Sequence, residues 1–211
     1  MSAANSAIPG VTEDRVTISI EDGIADVRMN RADKRNALDN AMFTSLAAAG
    51  DYLKTLSELR AVVLSGDGAS FCAGLDFGSF QAMAQGSSGQ GGSVNAGAMS
   101  DGRITHLAQQ VCWVWQEVPV PVIAAVNGAA IGAGCDLTCM CDLRVASTSA
   151  VFAESFVKLG LIPGDGGAWL LPRIVGFSRA AEMALTGDKI DAETALAWGL
   201  VSRVVTPEEL L

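Results

Sequence analysis

The stretch VIAAVNGAAIGAGCDLTCMC, Val122–Cys141, decides the fold. Its first five residues, Val122–Val126, form a continuous apolar run bounded by Pro121 and by Asn127-Gly128, the pattern of a buried strand. Gly128, Gly132 and Gly134 then space a loop of small residues, and Cys135–Cys141 reads as the first turns of a buried helix. A strand, a glycine loop and a helix in this order present backbone N–H groups at the helix start. Those groups have no intrahelical acceptors, and the helix dipole adds about half a positive charge there. Such a spot suits an anion, or an oxygen that becomes one during a reaction. Asp136 falls in the first helical turn. That place fits a carboxylate that merely complements the dipole, and it also fits a catalytic group; the stretch alone leaves both open.

Composition narrows the classes. The chain has 211 residues, half of them hydrophobic, enough for one sizeable core. It has no apolar run of about 18 residues that would read as a membrane span, and its start, MSAANSAIPGVTEDR, lacks the basic and apolar regions of a signal peptide. The net charge of −9 argues against broad nucleic-acid binding, so an anionic ligand would need a local basic cluster and backbone amides. The five cysteines form no CxxC pair and read as buried reduced thiols of a cytoplasmic protein, without a metal site. His106 is the one histidine; with no GxSxG elbow in the chain, it reads as structural. P-loop, EF-hand and HExxH patterns are also missing.

Toward the N-terminus, Val16–Ile20 and Ile24–Met29 alternate like strands, and Glu21-Asp22-Gly23 predicts a hairpin between them. NRADKRNALD, Asn30–Asp39, holds Arg31, Lys34 and Arg35. It is either a solvated loop or a phosphate-binding cluster in an acidic chain. Asp39 is placed to cap a helix over Asn40–Leu56. Ala61–Leu64 is a buried strand, and beyond it Ala73-Gly74 precedes Leu75-Asp76. This is a second strand end where small side chains let another molecule approach the main chain. The Gly/Ser-rich segment 85–102 is expected to be a mobile insertion.

Toward the C-terminus, Arg103–Glu117 reads as a helix before the central strand, and Asp142–Ala146 and Val151–Ala153 as short strands after it. Asp165 lies between glycines in the loop Lys158–Gly167, where an Asp is usually a turn residue. Ala168–Val175 and Ser178–Leu185 are helical, Asp191 caps a helix ending at Trp198, and Leu200–Val205 is a last strand. Thr206-Pro207-Glu208-Glu209 has the spacing of a helix start. The expected organisation is a flexible leader over 1–13, an α/β core over 14–205, and over 206–211 the start of a C-terminal helical region cut short. Strands alternating with small-residue loops and helices place sites at the carboxyl ends of the strands.

Together these segments resemble the enoyl-CoA hydratase/isomerase family, the crotonases. NRADKRNALD resembles the family's first motif, with Ala32 where proline is usual; FCAGLDF, Phe71–Phe77, resembles the second. Pro121–Ser147 resembles the long central motif, FVKLGLIPGDGG the fourth, and ALTGDKIDAETALAWGLVSRVV the approach to the C-terminus. The resemblance spans nearly everything from Val16 to Val205. It implies a spiral of ββα turns that binds acyl-CoA thioesters, with coenzyme A as part of the substrate and no other cofactor. It implies a homotrimer or a dimer of trimers.

By motif position, the N–H groups of Leu75 and Ala133 would form the oxyanion hole. Lys34, Arg35, Ala37, Ala73, Leu75 and Asp76 would contact coenzyme A or the thioester. Hydratases of this family use two glutamates. Asp136 stands at the first position, one methylene shorter; the second falls on Phe156, which cannot transfer a proton. The expected enzyme is therefore an acyl-CoA isomerase or a related lyase, most simply one making an isomerase-type proton shift in fatty-acid or related acyl-CoA metabolism, with Asp136 as base and Asp165, facing the acyl group, as the second catalytic residue. Two alternatives stand: a hydratase in which Asp165 or Glu154 replaces the missing glutamate, and an inactive acyl-CoA-binding or scaffold protein, suggested by Phe156 itself.

Overall fold

The computed structural model describes residues 8–76, 78 and 102–211. Residues 1–7 of the expected leader and 85–101 of the expected insertion lie outside the described residues. Strands β1 (Val16–Glu21) and β2 (Ile24–Met29) pair antiparallel with Glu21 opposite Ile24. Their loop is Asp22-Gly23, both with positive φ, which matches the twist of the strands it joins.

From here the chain winds as a spiral. The strands β3 (Ala61–Gly66), β5 (Val122–Val126) and β7 (Leu143–Ser147) lie side by side and parallel, and with β1, β2 and β10 (Arg203–Val205) they form a sheet ordered β1-β2-β3-β5-β7-β10. Each of the three is followed by a short strand: β4 (Ser70–Cys72), β6 (Ala129–Ile131) and β8 (Val151–Ala153). These stack parallel in a second sheet, closed by β9 (Ile190–Asp191), in the order β4-β6-β8-β9. The sequence pattern shows β4 and β6 only as loop, because the glycines and small residues on both sides of each hide so short a run. Asn127 ties two turns of the spiral: its Nδ2 donates to the carbonyls of Gly66 and Gly68, 2.8 Å each.

The helices cover the spiral. Helix α1 (Asn40–Leu53) starts where Asp39 accepts a hydrogen bond from the Met42 amide, as its sequence predicts. It ends three residues before the expected Leu56. Helix α2 spans Leu107–Trp113 and tightens into a 3-10 turn, Val114–Glu117; it begins four residues later than expected because His106 caps it, Nδ1 accepting from the Gln109 amide. The histidine is spent on structure. Helix α3 (Ala133–Met140) follows β6, and α4 (Gly167–Val175), α5 (Phe177–Thr186) and α6 (Ala192–Trp198) follow in order, the last capped by Asp191. The final strand is shorter than expected because Leu200–Ser202 is spoken for: the Ser202 amide donates to the Arg144 carbonyl, and Arg144 Nε donates to that of Leu200.

One core joins the layers. Met29, Leu38, Met42, Phe71, Trp115 and Phe152 are all but fully buried, each such side chain contributing roughly 1.5–3 kcal/mol. Among the described residues, no helix is long and apolar enough to cross a membrane.

Candidate active site

Two arms of main chain meet at the carboxyl ends of β4 and β6. The first is Ala73–Asp76, pinned against the loop before α1. Leu38 donates its amide to the Gly74 carbonyl at 2.8 Å, and Asp76 donates to the Leu38 carbonyl at 3.0 Å. Leu75 bridges Leu38 in parallel register, so its own N–H points away from Leu38. No backbone acceptor takes it among the described residues.

The second arm is Ile131–Ala133. Gly132, at φ 54°, donates to the Ala153 carbonyl at 2.7 Å, and its own carbonyl accepts from Cys135 and Asp136. Ala133 is the first residue of α3, one of the positions whose N–H has no acceptor within the helix.

The arms touch through glycine. A Cβ on Gly74, which has φ +86°, would lie 2.6 Å from the Ile131 carbonyl oxygen and 3.8 Å from the Ala133 nitrogen. A Cβ on Gly134 would lie 2.9 Å from that of Cys72. Only bare backbone allows this approach. Both Leu75 and Ala133 line one cavity of about 190 Å³, with Ser155, Phe156 and Lys158 on its far side. The sequence-predicted oxyanion donors are thus brought together.

The carboxyl groups lie deeper. Asp136 is one turn along α3 from Ala133, about 4.5 Å of axial rise, and is fully buried behind the cavity wall. Glu154 is fully buried too, and none of the four oxygens of the two groups has a hydrogen-bond partner among the described residues. The Gly132–Ala153 hydrogen bond explains why they meet: it fixes the end of β8 against the start of α3, setting Glu154 beside Asp136. Burial, then the charges of Glu154 and Asp165, pushes Asp136 well above the usual carboxylate range, with the Gly167 amide opposing. Burial raises Glu154 as well. Asp165, before α4, is pushed up to about 6 by burial. It lines a second cavity of about 190 Å³, with Trp113, Met140 and Trp169 among its walls. Ala133 lines the first cavity and Met140 the second, so Asp136 stands between the two along one helix.

Phe156 occupies the wall expected to carry a second acid; its ring lies 3.8 Å from where a Gly132 Cβ would be. Of the basic cluster, Arg31 is built into the fold: it holds Asp76 at 2.9 Å, Asp39 at 3.5 Å and the carbonyl of buried Ala37 at 3.0 Å. Asp76 and Ala37 are thereby tied into the first arm. Lys34 and Arg35 remain exposed and form no ion pair among the described residues. Ala73 lines the first cavity. Sequence reasoning missed Lys158, which reaches that cavity from the 3-10 helix Ser155–Leu159. Its 3.4 Å pair with Asp188 is exposed on both sides and weak. Nothing but its place after FV marks it in the sequence. Among the described residues, no group of three or more His, Cys, Asp or Glu is arranged to hold a metal ion.

A spiral of ββα turns in two stacked sheets, with two arms of main chain meeting at one cavity, is the architecture of the crotonase fold. Comparison with known proteins agrees. Residues 19–211 match the family model for enoyl-CoA hydratase/isomerase, and the chain belongs to that family of acyl-CoA enzymes. It is 36% identical over 191 residues to the 1,2-epoxyphenylacetyl-CoA isomerase of Escherichia coli, covering 90% of this chain and 70% of the relative. It is 35% identical over 199 residues to the crotonyl-CoA hydratase of Syntrophomonas wolfei, covering 94% and 72%. Among solved structures, the enoyl-CoA hydratase of Bacillus anthracis superposes with a TM-score of 0.79 at 30% identity, over 93% of this chain and 72% of that one.

Proposed function

We propose that the protein catalyses an isomerase-type proton shift on an enoyl-CoA, with Leu75 and Ala133 as the oxyanion hole and Asp136 as the base. The observation that carries this reading is the cavity shared by Leu75 and Ala133, whose amides have no acceptor among the described residues, with a carboxyl group one helical turn behind Ala133. When a proton leaves the carbon next to a thioester, negative charge moves onto the carbonyl oxygen. Two preorganised N–H donors stabilise that charge more in the transition state than in the bound substrate. Asp136 takes the proton from one carbon and returns it to another, so nothing is consumed. Phe156 supports this over hydration, since a hydrocarbon fills the wall from which a second acid would act. The acyl chain runs from the first cavity past Asp136 to the second, whose tryptophans suit an apolar end. Lys34, Arg35 and Lys158 hold the coenzyme A phosphates.

Asp165 favours one other reading. It is a buried acid within electrostatic reach of Asp136 and lines the second cavity, so the two could hold a water for hydration. A panel of 2-enoyl- and 3-enoyl-CoA substrates, followed by mass spectrometry and double-bond absorbance, separates the readings. Double-bond movement without mass change supports the isomerase; gain of water supports the hydratase. An unchanged panel would leave an acyl-CoA-binding scaffold.

A further inference from the structure

We propose that Glu154 is a positioning residue for Asp136: the two carboxyl groups hold one proton between them, and that proton is the bond that joins them. This deepens the isomerase reading and rests on it only for the consequence to turnover. Both side chains are fully buried, and among the described residues none of their four oxygens has a partner within hydrogen-bond distance, the Gly167 amide and the Cys135 thiol being the nearby donors. Neither forms an ion pair among the described residues. Two ionised carboxylates side by side in such a place would each bear the cost of burial and repel one another. With one proton shared, one group donates and the other accepts, and a single charge remains on the pair.

The surroundings enforce that count. Asp165 faces the pair from the loop before α4, Cys112 from α2, and Cys135 and Cys139 from α3 itself. Burial keeps the Cys112 thiol protonated at neutral pH, and the bond to Cys139 followed by burial does the same for Cys135. Asp165 adds a negative charge above about pH 6, which further opposes loss of the shared proton.

The consequence is chemical. With the proton on Glu154, Asp136 is a carboxylate that accepts one strong hydrogen bond and can act as base. When it takes the substrate's proton, both acids are neutral and the negative charge sits on the thioester oxygen, at the Leu75 and Ala133 amides. When it returns the proton, the pair regains its single charge. Atoms and charge balance without another reactant.

Difference infrared spectroscopy of the free protein tests the shared proton without any turnover. Wild type at pH 7.5 should show a protonated-carboxyl band that persists in Asp165→Asn. Glu154→Gln, whose amide replaces the donor, should lose it. No such band in wild type, or a band unchanged in Glu154→Gln, overturns the proposal, even if the Gln variant is the only one that folds. Kinetics then test the role: Glu154→Gln, whose amide still donates, should retain more of the wild-type turnover than Glu154→Leu. Glu154→Leu, with no donor, should lower kcat on the order of tenfold at pH 7 and shift the acid limb of the pH profile up by about one unit. Equal turnover and unmoved limbs in both variants would overturn the positioning role. Absence of turnover in wild type on every enoyl-CoA would sink the isomerase reading while leaving the infrared result to decide the pair.

Discussion

A Cβ built on Gly167 would lie 2.8 Å from Asp136 Cγ and closer still to Oδ1. The first residue of α4 therefore rests directly on the carboxyl group of α3, and no side chain fits between them. Asp136 thus lies between its own helix and the start of α4.

Gly167→Ala should disturb that contact. Overpacking of this kind costs about 1–3 kcal/mol, read as a lowered denaturation midpoint. Turnover should fall further than the stability loss explains, because Asp136 is displaced. A variant with wild-type kcat would show that the contact does not position the base.

Asp136→Asn should cut kcat by about 10²–10⁴, the usual worth of a general base. The affinity for coenzyme A, measured by calorimetry, should stay unchanged, since the side chain lies behind the cavity wall. Unaltered turnover would remove Asp136 from the mechanism.

Gly74→Ala puts a methyl 2.6 Å from the Ile131 carbonyl at φ +86°. The arms must part, and Leu75 and Ala133 no longer converge. Loss of one oxyanion donor costs about 3–4 kcal/mol, so kcat should fall by about 10²–10³ while the ground-state affinity for a saturated acyl-CoA changes little. Equal losses in both would point to simple misfolding.

Asp165 predicts a pH dependence of stability. Its folded value is about 6 against an ordinary 3.8, so between these values the folded state binds more protons than the unfolded. The stabilisation is fully present below about pH 4 and is lost as pH rises through 6, on the order of 2–3 kcal/mol in all. Urea midpoints from pH 4 to 8 should show a shallower decline in Asp165→Asn than in wild type. Parallel curves would mean that Asp165 is not held in a desolvated place.

Replacing Lys34 and Arg35 together by alanine should raise KM several-fold and leave kcat alone, the mark of uniform binding. The effect should shrink as salt screens exposed charges. Among the described residues both side chains are exposed and neither forms an ion pair, so stability should be unmoved; a fall in kcat would place them nearer the chemistry.

How much of this was legible in the chain follows from distance along it. The Asp22-Gly23 hairpin, the Asp39 and Asp191 caps and the Val122–Val126 strand are decided by neighbours within a few residues, and local pattern is enough for them. So is the glycine spacing that bares the Ala133 amide. What only tertiary structure decided are meetings between segments far apart. Arg31 looks like a free cation in the sequence, yet Asp76, from the end of the first arm, claims it. Glu154 looks like a strand-end acid and Asp136 like a dipole partner, until the pairing of β6 with β8 buries them together, with no ion-pair partner among the described residues. Local pattern sets backbone conformation, because torsions and caps respond to adjacent residues. The protonation and reach of a side chain depend on what the spiral stacks against it, and no run of residues contains that.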